Sequence, residues 1–335
     1  MSSKEISIII PCLNEERYIS SCLDSILNSD YNQEYMEILV VDGMSEDNTR
    51  EIVKEYEKKH NYVKLIDNIK KTAPIAMNIG INNSVGEFIF IISAHAKYDK
   101  NYFSKLVENI IELDASCVGP LLITDVKNKT KKSNSIKKVL SHKLGVGNAS
   151  FRTGSDEIKE VDTVAFGCYK RDVFDKYGLY DERLTRNQDI ELNKRIKNGG
   201  GKIYLIPNIT CTYFAREDFS LLAKNNFDNG RWNILTAYYT KTLNSLSLRH
   251  FIPLLFVLSI ILPIFLIIVN IKFIFVSFLS FILHFIAILL VSIKINDKET
   301  TVFNIINSFY TLHFSYGVGS IKGIIDIIIK KIKGS

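Results

Sequence analysis

Short apolar runs punctuate the first part of the chain: ISIII at 6–10, EILVV at 37–41, VKLI at 63–66 and FIFII at 88–92. Each has the length and β-branched or aromatic content of a strand covered on both faces. Helix-like stretches separate them. This alternation predicts an α/β domain with a mostly parallel sheet and covering helices. A less regular part follows, with candidate strand segments at 115–123 and 161–169, a helix near 187–197 and a strand, KIYLI, at 202–206. No internal repeat is visible.

The pattern changes at Phe251. Residues 251–269, FIPLLFVLSIILPIFLIIV, carry no charge, and a second apolar run covers 273–293 after Asn270–Lys272. Each is close to the roughly 20 residues needed to cross a hydrocarbon core. The expected division is a soluble α/β domain over 1–245 and a membrane-associated helical region over 246–335, with spans at 251–270 and 273–293. Lys241 and Arg249 before the pair, and Lys294 and Lys298 after it, favour the cytoplasmic side for both flanks. Residues 302–329 are apolar but interrupted by Asn304, Asn307, His313, Lys322 and Asp326. A third span would carry Lys330, Lys331 and Lys333 outside, so an interfacial or re-entrant segment is expected there. The chain opens on Met1, a polar segment and a strand, and no signal peptide is expected.

Candidate chemistry sits where the predicted strands end, because ligands of open α/β sheets bind at the carboxyl ends of the strands. Asp42 ends the second strand. Gly43 turns the chain, and Ser45 or Asp47 is placed to cap the following helix. SIIIPCLNEERYI (7–19) gives a strand, an exit marked by Pro11 and a helix start, with Asn14 as expected N-cap and Glu15 in the first turn. Glu15 and Asp42, on neighbouring strands, could bracket a nucleoside. His95, after the fourth strand, lies at the same edge and can bind a metal or hydrogen-bond a phosphate. Asp189, at the start of the helix in LTRNQDIELNKRIKNGGGKIYLIP (184–207), is a candidate general base or a first-turn acid favouring the helix dipole. Arg231 and Trp232, in NNFDNGRWNILTAYY (225–239), suit a diphosphate and a sugar or base; the alternative is a helix anchoring at a membrane boundary.

Net charge is +6 over 335 residues, and the lysines concentrate at 127–143 and in the tail. The 127–143 run reads as a solvated loop or as a surface for anionic headgroups or a lipid diphosphate. Five scattered cysteines with no CxxC argue against a zinc site or a disulfide framework and suit a reducing compartment. No nucleic-acid partner is expected.

Taken in order, these motifs resemble the inverting family-2 glycosyltransferases with the GT-A nucleotide-sugar fold, over roughly residues 5–240. SIIIPCLNEERYI is similar to that family's opening Pro–x–x–Asn–Glu segment, VDGMSEDNT to its Asp–Gly–x–Ser–x–Asp–x–Thr element, AMNIGINNSVGEFIFII to the stretch before its metal motif, and NQD at 187–189 to the acidic segment with its base. SAHA (93–96), VDTVAFGCYKR (161–171) and SYGVG (315–319) resemble motifs of the succinoglycan-chain glucosyltransferase subfamily.

The resemblance implies hexose transfer from a nucleotide diphosphate sugar, a UDP-sugar, to a lipid-linked saccharide in surface polysaccharide assembly, at the cell membrane with the catalytic domain cytoplasmic. It implies Pro11, Asn14, Glu15 and Asp42 at the nucleotide, with Asp67 or Asn68 assisting. His95 would contact a divalent cation (Mn or Mg) or the diphosphate. Asp189 would be the base, and Arg231 and Trp232 would lie at the diphosphate or acceptor. Three positions depart from the pattern. Ser93 replaces an acid of the metal element, Gln188 replaces a glutamate, and Asp228 stands where related synthases place Gln. The last, with few spans, argues against a processive synthase. The rival readings are a non-catalytic membrane scaffold of the same fold, motivated by Ser93, and a nucleotidyltransferase, which would want a glycine-rich phosphate loop that PCLNEER lacks.

Overall fold

The computed structural model describes residues 5–147, 149–241 and 250–333. In chain order the elements are β1 (Ile6–Cys12), α1 (Ile19–Leu27), β2 (Met36–Asp42), α2 (Thr49–Lys59), β3 (Val63–Asp67), α3 (Ala73–Asn83), β4 (Phe88–Ile91), β5 (Ala96–Tyr98), α4 (Tyr102–Glu112) and β6 (Cys117–Asp125). Then come α5 (Lys131–Leu140), α6 (Lys143–Val146), α7 (Ser150–Thr153), β7 (Lys159–Glu160), β8 (Cys168–Lys170), α8 (Asp172–Tyr177), α9 (Gln188–Asn198) and β9 (Ile203–Phe214). Four helices close the chain: α10 (Phe219–Thr240), α11 (Ile252–Leu266), α12 (Phe273–Ile295) and α13 (Val302–Lys333).

One mixed sheet runs β3-β2-β1-β4-β8-β6-β9-β5, with β7 paired to β9. The half made of β3, β2, β1 and β4 is parallel; β8 then pairs antiparallel with both β4 and β6. The apolar runs explain the parallel half. Ile6, Ile8 and Ile10 of β1 point to a core shared with α1 and α4 through Leu23, Ile26, Phe103 and Leu106. Ile9 of β1, with Leu39 and Val41 of β2, points to the other face, where α3, α8 and α9 add Ile81, Phe174 and Ile196. Both faces are dry, so no alternation with polar residues survives.

The polar residues in this half gather at strand ends. At the amino edge the buried Glu37 accepts from the Ser7 hydroxyl (2.6 Å) and the Val85 amide (2.6 Å), and Ser7 accepts from the Gly86 amide (2.8 Å). A Cβ on Gly86 would stand 2.6 Å from the Ile6 carbonyl carbon and the Ser7 nitrogen. The VGE turn therefore needs glycine for close approach to β1, not for an unusual φ.

The described residues fall into two compact units: 1–123 with 150–214, and 124–149 with 215–335. The expected boundary at 245/246, like Arg249, lies outside the described residues. In the second unit, Val139 of α5 is buried in a cluster with Ile288, Ile305, Phe309 and Leu312. Lys138 donates to the Ile295 carbonyl (2.5 Å) and pairs with Asp297 (2.7 Å). Half of the lysine-rich 127–143 segment is thus a helix held by specific partners, not a solvated loop. Lys137 is paired with Asp125 and Lys132 with Asp218.

α12 and α13 are long and apolar enough to cross a membrane. α11, with Pro253 in its first turn and Pro263 inside, is 15 residues long. The apolar side chains of α12 point outward: Phe275 is 68% exposed and Leu290 63%. Two of its serines are satisfied against α11, Ser280 by Ser259 (2.6 Å) and Ser277 by the Ile260 carbonyl (2.7 Å). Residues 302–329, read from sequence as interfacial or re-entrant, lie in one unbroken helix, Val302–Lys333. In the SYGVG stretch, Gly319 lets the α13 backbone meet that of α10 at Phe227, where any Cβ would collide. This is the small-residue device by which helices approach closely.

A chain ended at residue 245 would strip α5 of its partners Ile288, Ile305 and Phe309. We expect it to aggregate on size exclusion, with amides 131–140 exchanging within the fast fraction, whereas the full chain in detergent protects them.

Candidate active site

Two βα exits are stapled to each other. The Asn14 amide donates to the Ser45 hydroxyl (2.8 Å), and the Asn14 side-chain oxygen accepts from the Glu46 amide (2.9 Å). The Glu15 amide donates to the Thr49 hydroxyl (2.8 Å), the Glu16 amide to Asp47 (3.2 Å), and Asn48 returns two bonds to Glu16. The motif residues of 14–16 and 45–49 therefore serve one another. This corrects the expected N-cap at Asn14. α1 begins at Ile19 after Tyr18, and Asn14 takes a left-handed φ of 56°. Its polar atoms are spent across the staple instead, in a conformation asparagine tolerates. Of the two expected caps of α2, Asp47 accepts from the Thr49 amide (3.0 Å), while the Ser45 hydroxyl donates back to Asp42 (2.5 Å).

Asp42 is fully buried at the carboxyl end of β2. It accepts from the Ser45 amide (2.9 Å) and from Arg50 (2.8 Å). Burial opposes its ionisation, but the bonds from Ser45 and Arg50 outweigh it and hold the carboxyl below its usual range. The other arm of Arg50 reaches Asp67 (2.7 Å), at the end of β3, whose side chain is 54% exposed. Asn68 is buried beside it, donating to the Thr72 carbonyl (2.9 Å) while its own side-chain oxygen is buried without a partner. Asp67, Arg50 and Asn68 thus gather at the carboxyl edge, with Asp42 behind.

The stapled turn leaves the Glu15 side chain to hold His95, Nδ1 to Oε1 at 3.0 Å. A carboxylate only accepts, so Nδ1 carries a proton in this pair, and in the neutral ring Nε2 is the atom left with a lone pair. Tyr213 of β9 lies beside His95, ring centres 5.2 Å apart, because β9 pairs with β5 directly after SAHA.

Asp189 lies in the first turn of α9 and lines a cavity of about 230 Å³ with Pro11, Met77, Ser93, Phe166 and Tyr180. Its oxygen accepts from the Ile190 amide (2.9 Å). Burial pushes its carboxyl up from the ordinary value, against backbone bonds and the charge of Arg152. The neighbouring Gln188 also lines this cavity, and its side-chain oxygen is buried without a partner. Asn193, one turn on, is tied to Thr163 (2.8 Å) and Tyr169 (3.3 Å) and so fixes the helix.

Pro11, Ser93 and Asp189 thus share one cavity, with His95 two residues beyond Ser93 and paired to Glu15. Arg231 and Trp232 belong to α10 in the other unit. There Arg231 pairs with Asp326 (2.6 Å) and Trp232 stacks on Tyr239 (6.5 Å). Among the described residues no group of three or more His, Cys, Asp or Glu side chains could hold a metal ion. Sequence reasoning missed Arg50, Arg152 and Tyr213. Arg50 follows the quoted DGMSEDNT motif by one residue, while Tyr213 becomes visible only through its pairing with β5.

Residues 7–178 match the family described as Glycosyl transferase family 2. The dolichyl N-acetyl-alpha-D-glucosaminyl phosphate 3-beta-D-2,3-diacetamido-2,3-dideoxy-beta-D-glucuronosyltransferase of Methanococcus voltae is 33% identical over 67% of this chain and 71% of its own. The succinoglycan biosynthesis protein ExoA of Rhizobium meliloti is 27% identical over 69% of this chain and 71% of its own. Among solved structures, a mannosyltransferase from Pyrobaculum calidifontis, in complex with GDP-Man and Mn²⁺, superposes with a TM-score of 0.59 at 13% identity, over 97% of this chain and 88% of that one.

Because Asp189 has its pKa raised by folding, its contribution to stability is full below the unfolded carboxylate value and is lost as pH rises through the folded one. Asp189→Asn is therefore expected to stabilise the protein at pH 7, by about 1 kcal/mol, and to leave stability near pH 3 unchanged. Thermal melts at the two pH values check this.

Proposed function

Since the chain belongs to glycosyl transferase family 2, with a GT-A fold, we propose that it is a membrane-attached inverting hexosyltransferase. In this reading it moves a hexose from a nucleotide diphosphate sugar, a UDP-sugar, to a lipid-linked saccharide in surface polysaccharide biosynthesis. The observation that carries the reading is Asp189, a carboxylate raised by burial on the wall of a cavity that also meets the exits of β1 and β4. A general base works best when its pKa is drawn toward the working pH. The acceptor is inferred from the relatives: one is named for a dolichyl-linked sugar phosphate, the other for succinoglycan biosynthesis.

Asp67, Arg50 and Asn68, backed by Asp42, present the polar edge for the nucleoside, and Pro11, Asn14 and Glu15 form the adjoining turn. Asp189 accepts the proton of the acceptor hydroxyl. The oxygen so freed attacks the anomeric carbon from the face opposite the diphosphate, and the C–O bond to the diphosphate breaks with inversion. Arg231 and Trp232, on α10 of the other unit, suit the membrane boundary where Trp is common.

A divalent cation fits as a partner of the bound diphosphate rather than as a resident ion. His95 offers the Nε2 lone pair, and its Nδ1–H is oriented by Glu15 in the manner of metal-ligating histidines. Ser93 adds only a neutral hydroxyl, so the remaining donors must come from phosphate oxygens. Such a cation would neutralise charge on the leaving diphosphate.

The outward apolar face of α12 and the length of α13 support membrane attachment. After alkaline carbonate washing of membranes we expect the protein in the pellet; release to the supernatant would overturn spanning. A screen of UDP- and GDP-sugars with detergent-solubilised protein, with and without Mn²⁺, tests the activity. Asp189→Asn should lower transfer by about 10²–10⁴-fold with nucleoside diphosphate binding retained. The acid limb of kcat/KM in the wild type should lie above the ordinary aspartate range. Transfer by Asp189→Asn near the wild-type rate would remove this role.

A further inference from the structure

Arg152 lies on α7, and its guanidinium carbon stands 4.9 Å over the centre of the Tyr213 ring. That ring adjoins His95 on one side and, at 6.1 Å, Phe166 on the other, and Phe166 lines the Asp189 cavity. The arginine is thus set beside both halves of the site. Its neighbours in the same unit are committed elsewhere. Arg50 binds Asp42 and Asp67; Arg171 binds the Gly86 carbonyl; Arg183 binds Asp181; Arg195 binds Glu191. Arg152 differs from these: its recorded contacts are the faces of Phe151 and Tyr213, with no carboxylate among the described residues. Its charge is felt by Asp189, but no ion pair joins the two. A guanidinium held over an aromatic ring spends no N–H group on a hydrogen-bond acceptor there, and its fork of donors matches phosphate.

We propose that Arg152, braced on Tyr213, binds phosphate oxygens at the transfer site. This rests on the transferase reading. Two phosphates meet the chemistry: the diphosphate of the sugar donor, and a phosphate linking the acceptor saccharide to its lipid. Either would bring negative charge to a cation otherwise unmatched.

The test uses full-length protein in detergent, with Arg152→Gln, Arg152→Lys and Tyr213→Leu. UDP and GDP are titrated beside uridine and guanosine, and a polyprenyl-phosphate-linked sugar is compared as acceptor with the free sugar. If the donor diphosphate is the ligand, Arg152→Gln weakens the nucleoside diphosphate about 10-fold or more and leaves the nucleoside unchanged. If the acceptor phosphate is the ligand, nucleotide affinity holds while KM for the phosphate-linked acceptor rises by a similar factor and that for the free sugar does not. In either case Arg152→Lys recovers part of the loss and Tyr213→Leu reproduces part of it. Equal weakening of nucleoside and nucleoside diphosphate, or no change in any arm, would overturn the assignment. Wild-type protein that binds neither UDP nor GDP would remove the transferase reading itself; normal wild-type binding with an unaffected Arg152→Gln removes only Arg152.

Discussion

Burial of the parallel strands on both faces is the constraint from which the site follows. β1, β2 and β4 have helices above and below, and their interior positions are filled by isoleucine, leucine, valine and phenylalanine. A polar side chain in such a strand has nowhere to go except its ends. At the amino edge these groups close on one another through Glu37, Ser7 and the backbone of 85–86. At the carboxyl edge many also close on one another, but Asp67 stays exposed and the side-chain oxygens of Asn68 and Gln188 are left without a partner. The two edges differ in these remaining polar atoms.

The parallel half of the fold was legible because its strands are continuous apolar runs, and a run of that kind has few alternatives. The edge residues Glu15, Asp42 and His95 followed from where those runs stop, and Asp67 only from the family resemblance. The antiparallel half was harder. β8 is three residues long and β9 twelve, and their partners are set by pairing between distant segments, which no local period encodes. The cap assigned to Asn14 illustrates the same limit. Its residue type suits a cap, but the partner that claims its side chain is 32 positions away. The lysine-rich stretch shows the reverse error, since composition hid the buried Val139 among cations.

The stapling of 14–16 to 45–49 also changes how the motif residues are to be understood. Ser45, Asp47 and Thr49 hold backbone amides of the first exit, so their effect on chemistry passes through the position of Glu15 and, through it, the tautomer of His95. The oxygens of the buried Asp42 are occupied by Ser45 and Arg50, so this carboxylate holds the Arg50 cation in place.

The interleaving of the two units has a consequence for the order of events during synthesis. α5 leaves the ribosome long before the helices that cover it: the Asn134 side chain finds the Glu299 carbonyl 165 residues later, and Lys138 finds that of Ile295 after 157. Contacts at such separation form late, because the intervening chain must first be made and closed. The first unit can close around this excursion, since residues 123 and 150 are its return points. The excursion itself must wait, apolar side exposed, until α12 and α13 have emerged. Maturation of the nascent polypeptide is thereby timed by the arrival of α12 and α13.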